Sequence, residues 1–129
     1  MIENGNRVCQ TKWGPEVKNV HPLADKRILI IAPHPDDETL GCGGLIAKSI
    51  ELHSTVAVLA VCVGDARQFG SASDKSIREG EFRGSMEMLG VSKSEILYGD
   101  EWHLRLDQLS QRQLIDPFAA IGQALNIAL

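Results

Sequence analysis

An α/β fold with an open, mainly parallel sheet and flanking helices is what this 129-residue sequence predicts. Two short apolar runs rich in Ile and Val lack strict alternation, the pattern of strands covered on both faces in a parallel sheet. A helical pattern too long for a hairpin turn lies between them, and a second helical pattern leads to a third apolar run. The order β-α-β-α-β describes an open, Rossmann-like sheet.

Arg27 to Ala32 (RILIIA) and Thr55 to Val63 (TVAVLAVCV) are the first two strands, both expected in the sheet centre. In the intervening LIAKSIELH, Leu45, Ile46, Ser49, Ile50 and His53 fall on one helical side, which makes the segment a crossover helix between parallel strands. A second helix is expected from about Asp74 to Leu89, with Ser73 or Asp74 as N-cap and Gly90 ending it. On it Phe82, Met86 and Leu89 are core candidates, while Gly80 and Gly84 share one side and suit close packing. Glu95 to Tyr98 (EILY) is the third strand. Asp116 as N-cap and Pro117 at the first helical position open a last helix, whose Phe118, Ile121, Leu125 and Leu129 form an apolar stripe.

No charged residue occurs from Pro117 to Leu129, and neither a capping glycine nor a basic last turn closes that helix. A parallel α/β fold sends the chain back into another strand at such a point. The expectation is therefore the amino-terminal portion of a longer domain, its sheet incomplete at the C-terminus and its stripe available for self-association. Residues 1–26 are polar and read as an N-terminal extension, residues 27–129 as the domain.

Composition narrows the function. A net charge of −4 without any run of Lys or Arg provides no electrostatic footprint for nucleic acid or an anionic membrane. There is no uninterrupted apolar stretch of about 20 residues, nor the basic-then-apolar order of a signal peptide, so a cytoplasmic protein acting on a small molecule is expected. Cys9, Cys42 and Cys62 are odd in number and show no C-x-x-C spacing, which points to free thiols.

The chemistry concentrates in IIAPHPDDETLGCGG, Ile30 to Gly44, where His34 precedes Asp36, Asp37 and Glu38. Like charges this close repel one another unless a positive charge sits among them. A phosphate or dinucleotide loop does not suit: Gly41, Gly43 and Gly44 do not form G-x-G-x-x-G, and the carboxylates upstream repel phosphate. A structural reading has the prolines stiffen the strand exit and an Asp cap the helix. A metal site explains the histidine together with the acids, since a divalent cation takes neutral imidazole and ionised carboxylate as ligands. Ligands of open α/β sheets sit beyond the carboxyl ends of the strands, and here each end bears an acid: Asp36 and Asp37, Asp65, and Asp100. Asp65 by itself reads as a turn or cap residue.

PHPDDETLGCGG resembles the signature of the PIG-L/LmbE-like zinc de-N-acetylases, which hydrolyse N-acetyl groups of N-acetylglucosamine-containing substrates on a Rossmann-like fold. IREGEFRGSMEMLGV resembles the family's R-x-x-E helix, with Arg78 and Glu81 at the matching places, and ILYGDEWHL resembles the next strand and its terminal Asp. The resemblance spans residues 27 to 104. It implies zinc held by His34 and Asp37, Asp36 as general base, and Arg78 and Asp100 as contacts to an N-acetylated sugar conjugate. A plainer role for Arg78 is an ion pair with Glu81.

The family takes its third zinc ligand from an H-x-x-H-like motif downstream of the third strand, and this sequence has none. Of the other histidines, His21 precedes the first strand, His53 closes a helix on the opposite edge, and only His103 follows a strand on the correct edge. The alternative expectation is thus a non-catalytic module that keeps the fold, binds metal or sugar weakly and self-associates.

Overall fold

A computed structural model describes residues 20–68, 71–103, 105–124 and 126. In chain order the elements are β1 (Arg27–Ala32), α1 (Asp37–Glu51), β2 (Thr55–Cys62), β3 (Ala66–Gln68), β4 (Ser71–Ser73), α2 (Lys75–Leu89), β5 (Lys93–Tyr98) and α3 (Gln111–Ala124). Two three-residue 3-10 turns, Asp100–Trp102 and Leu106–Gln108, separate β5 from α3. The Cys9 thiol and the stripe positions Leu125 and Leu129 lie outside the described residues.

The main sheet has the order β1-β2-β5, and both pairings are parallel. This is the predicted open α/β sheet, with one difference in placement. Only β2 has a neighbour on each side among the described residues, so β1 is an edge strand where a central one was expected. The burial follows: β2 is buried from Val56 to Cys62, whereas Ile31 of β1 is 44% exposed. A continuous apolar run states that a strand is sandwiched between layers, and does not say how many neighbours it has.

The core forms on one face, where Ile30 of β1 and Val56, Val58 and Ala60 of β2 meet Ile46 of α1 and Phe82 and Met86 of α2. Strand alternation and helical spacing bring these residues together, and Leu89 packs against them as expected. Gly80 and Gly84 face away from it. A Cβ at either meets nothing within 4 Å, so the close-packing role is incorrect.

Helix α1 begins at Asp37, eight residues ahead of the Leu45 start, because the acids of its first turn favour the positive end of the helix dipole. Ile46 and Ser49 are its buried positions on the predicted side. Leu45 is 41% exposed, and His53 lies past the C-cap at φ 62° rather than on the helix. Helix α2 follows the expectation: the Asp74 carboxylate accepts the Ile77 N–H at 2.9 Å, and Gly90 ends the helix in the left-handed region at φ 76°. Strand β5 starts two residues before Glu95. The antiparallel pairing of β3 with β4 has no counterpart among the sequence-based expectations, since these short polar segments lack an apolar period.

The last helix corrects the sequence reading. Asp116 and Pro117 sit inside α3, which begins at Gln111. Ser110 and Gln113 form a reciprocal cap: the Gln113 N–H donates to Ser110 Oγ at 3.3 Å and the Ser110 N–H to Gln113 Oε1 at 3.0 Å. Proline at 117 cannot donate to the Gln113 carbonyl one turn back. Tyr98 at the end of β5 donates its hydroxyl to that carbonyl at 2.7 Å instead. Ile121 of the predicted stripe is buried within this chain and Phe118 half-buried, so neither is the exposed residue expected.

Candidate metal centre

At the carboxyl end of β1 the chain passes from buried Ala32 through Pro33, His34 and Pro35 to Asp36, which adopts φ 99° and ψ −33°. A non-glycine residue held there stores about 1–3 kcal/mol of strain. Glu38, only 2% exposed, is what holds it: Oε2 accepts the Asp36 N–H at 3.1 Å while Oε1 accepts the Thr39 hydroxyl at 2.9 Å. The Asp36 side chain makes no cap hydrogen bond, which leaves its carboxylate uncommitted at the head of α1.

His34 and Asp37 come together as predicted. Asp37 Oδ2 accepts the His34 N–H at 3.1 Å and lies 3.6 Å from Nδ1 of the same imidazole. The other ring nitrogen, Nε2, is closed off from solvent and has no hydrogen-bond partner. His103, following the 3-10 turn after β5, places its ring centroid 5.6 Å from that of His34, edge to face at 80°. Its Nδ1 is likewise buried and unpartnered. Gly64 makes the approach possible, because a Cβ there would stand 2.4 Å from His103 Cγ.

These donors fit a divalent cation by type: imidazole nitrogens without protein partners beside a carboxylate are the set zinc prefers. Among the described residues, however, no group of three or more His, Cys, Asp or Glu side chains is gathered to hold an ion.

Arg78 reaches across from α2 and ties the strand ends together. Nη1 donates to the Gly64 carbonyl at 2.9 Å and Nη2 to the Pro35 carbonyl at 3.3 Å, in place of an ion pair with Glu81. Its side chain also borders a cavity of about 240 Å³, lined in addition by Asp36, Glu38 and Glu81. Asp100 occupies the same sheet edge, exposed at the start of the 3-10 turn and outside that cavity. Asp65 accepts the Lys75 N–H at 2.9 Å and serves the start of α2, the plain role given to it.

Cys42 and Cys62 are free. Burial pushes the Cys62 thiol up, and Glu101 and Asp100 add to the effect against the opposing charges of Arg78 and Lys75. With its proton donated toward the Gly99 carbonyl at 3.3 Å, this is a structural thiol and not a nucleophile. Two contributors escaped the sequence reading. Glu38 reads in the sequence as one of several adjacent acids, although its place two residues after Asp36 lets it reach back to that N–H; Gly64 has no local signal, because the ring it accommodates lies 39 positions away.

The profile of the PIG-L family, described as GlcNAc-PI de-N-acetylase, matches residues 29–124. The chain belongs to this family. Among curated proteins it is 31% identical to the 1D-myo-inositol 2-acetamido-2-deoxy-alpha-D-glucopyranoside deacetylases of Rhodococcus jostii (strain RHA1) and Rhodococcus opacus (strain B4), each match covering 60% of this chain and 30% of the relative. It thus spans about 30% of the length of these relatives. Among solved structures, a conserved protein of Thermus thermophilus matches with 30% identity and a TM-score of 0.41, over 57% of this chain and 30% of that one. No helix among the described residues is long and apolar enough to cross a membrane.

Proposed function

We propose that this chain carries the metal-binding and proton-transfer half of a zinc-dependent de-N-acetylase acting on an N-acetylglucosamine-type conjugate. The observation that carries the reading is the His34–Asp37 pair, 3.6 Å apart with the buried His34 Nε2 unpartnered, at the carboxyl edge of the sheet in a PIG-L domain. Both Rhodococcus relatives act, by name, on a 2-acetamido sugar.

His34 and Asp37 would hold the ion, and zinc bound there supplies Lewis acidity toward the amide carbonyl and the attacking water. Asp36 has the role of general base: its carboxylate, free of cap bonds on a residue whose backbone N–H Glu38 accepts, takes a proton from the water as it attacks. The carboxylic acid so formed then returns that proton to the departing amine. Arg78, which borders the cavity, and Asp100 are the substrate contacts in this reading.

Two measurements on the chain test this. Zinc titrated by calorimetry should bind, and binding should weaken at least tenfold in His34→Ala and in Asp37→Ala; unchanged affinity in both sinks the ligand assignment. Asp36→Asn should retain zinc and lose acetate release from an N-acetylglucosamine conjugate, because an amide cannot take the water's proton. Zinc binding with no acetate release even from the parent chain supports the alternative, a non-catalytic metal-binding module.

A further inference from the structure

Both backbone groups of Asp36 are engaged. Its N–H donates to Glu38 Oε2 at 3.1 Å, and its carbonyl accepts the Thr39 and Leu40 N–H groups at 3.0 and 2.9 Å. A residue with a side chain does not hold φ 99° and ψ −33° unaided, and those angles set where its Cα–Cβ bond points. Asp36 lines the cavity beside Arg78 in that conformation.

Glu38 is an uncommon device for fixing it. An acid in the first turn of a helix is ordinarily solvated and favoured by the dipole alone, and a Glu that closes a capping box lies at the third helical position. Glu38 lies at the second position and is only 2% exposed. A buried carboxylate is costly unless its oxygens find donors, and here both do, since Oε1 takes the Thr39 hydroxyl hydrogen at 2.9 Å. Counting hydrogens then orients the next link. Thr39 has one hydroxyl hydrogen and gives it to Glu38, so in the 3.1 Å contact between Thr39 Oγ1 and Ser85 Oγ the serine donates. A directed chain therefore runs from Ser85 on α2 through Thr39 to Glu38, which receives the Asp36 N–H at its other oxygen. All four residues line the one cavity.

We infer that Glu38 is a positioning residue for Asp36, with Thr39 and Ser85 anchoring it to α2. The inference rests on the proposed general-base role of Asp36 and adds the residues that act through it. Without the Glu38 acceptor the backbone relaxes away from φ 99°, the Cα–Cβ bond turns with it, and the carboxylate loses its alignment with the attacking water.

The test uses the 129-residue chain with zinc and an N-acetylglucosamine conjugate, and reads acetate release together with hydrogen exchange at the Asp36 amide by nuclear magnetic resonance. Glu38→Met, of similar length but without an acceptor, should lower kcat about tenfold or more with KM within about twofold of the parent. Its Asp36 amide should exchange about tenfold faster. Glu38→Gln should restore most of both, because its amide oxygen still accepts that N–H. Thr39→Val and Ser85→Ala, which cut the chain farther from Asp36, should each lower kcat about threefold, and they carry the test if Glu38→Met does not fold. Parental kcat in variants whose Asp36 amide exchanges faster makes Glu38 a helix cap and overturns the inference, as does a loss confined to KM or a failure of Glu38→Gln to rescue. If the parent chain itself releases no acetate, the general-base reading fails first and the positioning role falls with it.

Discussion

Replacing Arg78 with Met keeps a long aliphatic stem and removes the guanidinium, which in the structure donates to two backbone carbonyls, Gly64 O at 2.9 Å and Pro35 O at 3.3 Å. Both acceptors belong to buried residues, so water replaces the lost donors poorly. A hydrogen bond from a charged donor contributes about 1.5–3 kcal/mol, and the longer one counts for less, so the expected loss is about 2–4 kcal/mol. Urea unfolding followed by circular dichroism at neutral pH should show it as a lower midpoint at unchanged slope. Arg78→Lys should fall between, because an ammonium is a single point of donation where the planar fork reaches two carbonyls. A loss below about 0.5 kcal/mol in Arg78→Met would refute the clamp and make Arg78 a residue whose contacts lie with the substrate alone, since surface changes away from structural features stay within that range.

Asp36→Gly should leave the chain as stable or raise its unfolding free energy by about 1–2 kcal/mol, because glycine adopts φ 99° without strain; a fall in melting temperature contradicts this. Tyr98→Phe should destabilise by about 0.5–1.5 kcal/mol by stranding the Gln113 carbonyl that Pro117 leaves open, and should have no such effect in a Pro117→Ala background, which restores the N–H. The Asp74 carboxyl is held below its usual range by the Ser76 hydroxyl first and the Ile77 N–H next. Its stabilisation is accordingly complete above the unfolded carboxylate value of about 3.9 and lost as pH falls through the lower folded value. The stability gap between the parent and Asp74→Ala, measured by urea melts from about pH 7 to about pH 2.5, should close only at the acid end, and a gap that narrows above about pH 5 argues against the cap.

What the sequence determined by itself was local. The Ile- and Val-rich runs became strands, the Asp74 and Gly90 caps bounded α2, and PHPDDE placed His34, Asp36 and Asp37 at one strand exit, because cap chemistry, apolar period and motif spacing act over a few residues. Tertiary structure decided whatever needed a partner from elsewhere in the chain. Pro117 reads as a helix start until the Tyr98 hydroxyl, 15 positions away from the carbonyl it serves, satisfies the group the proline leaves bare. Gly80 and Gly84 read as packing glycines until the helix turns that side to open space. His103 reads as a loop residue until Gly64 admits its ring beside His34. Hydrogen-bond satisfaction and close approach depend on which surfaces meet, and that is settled when the sheet and helices pack.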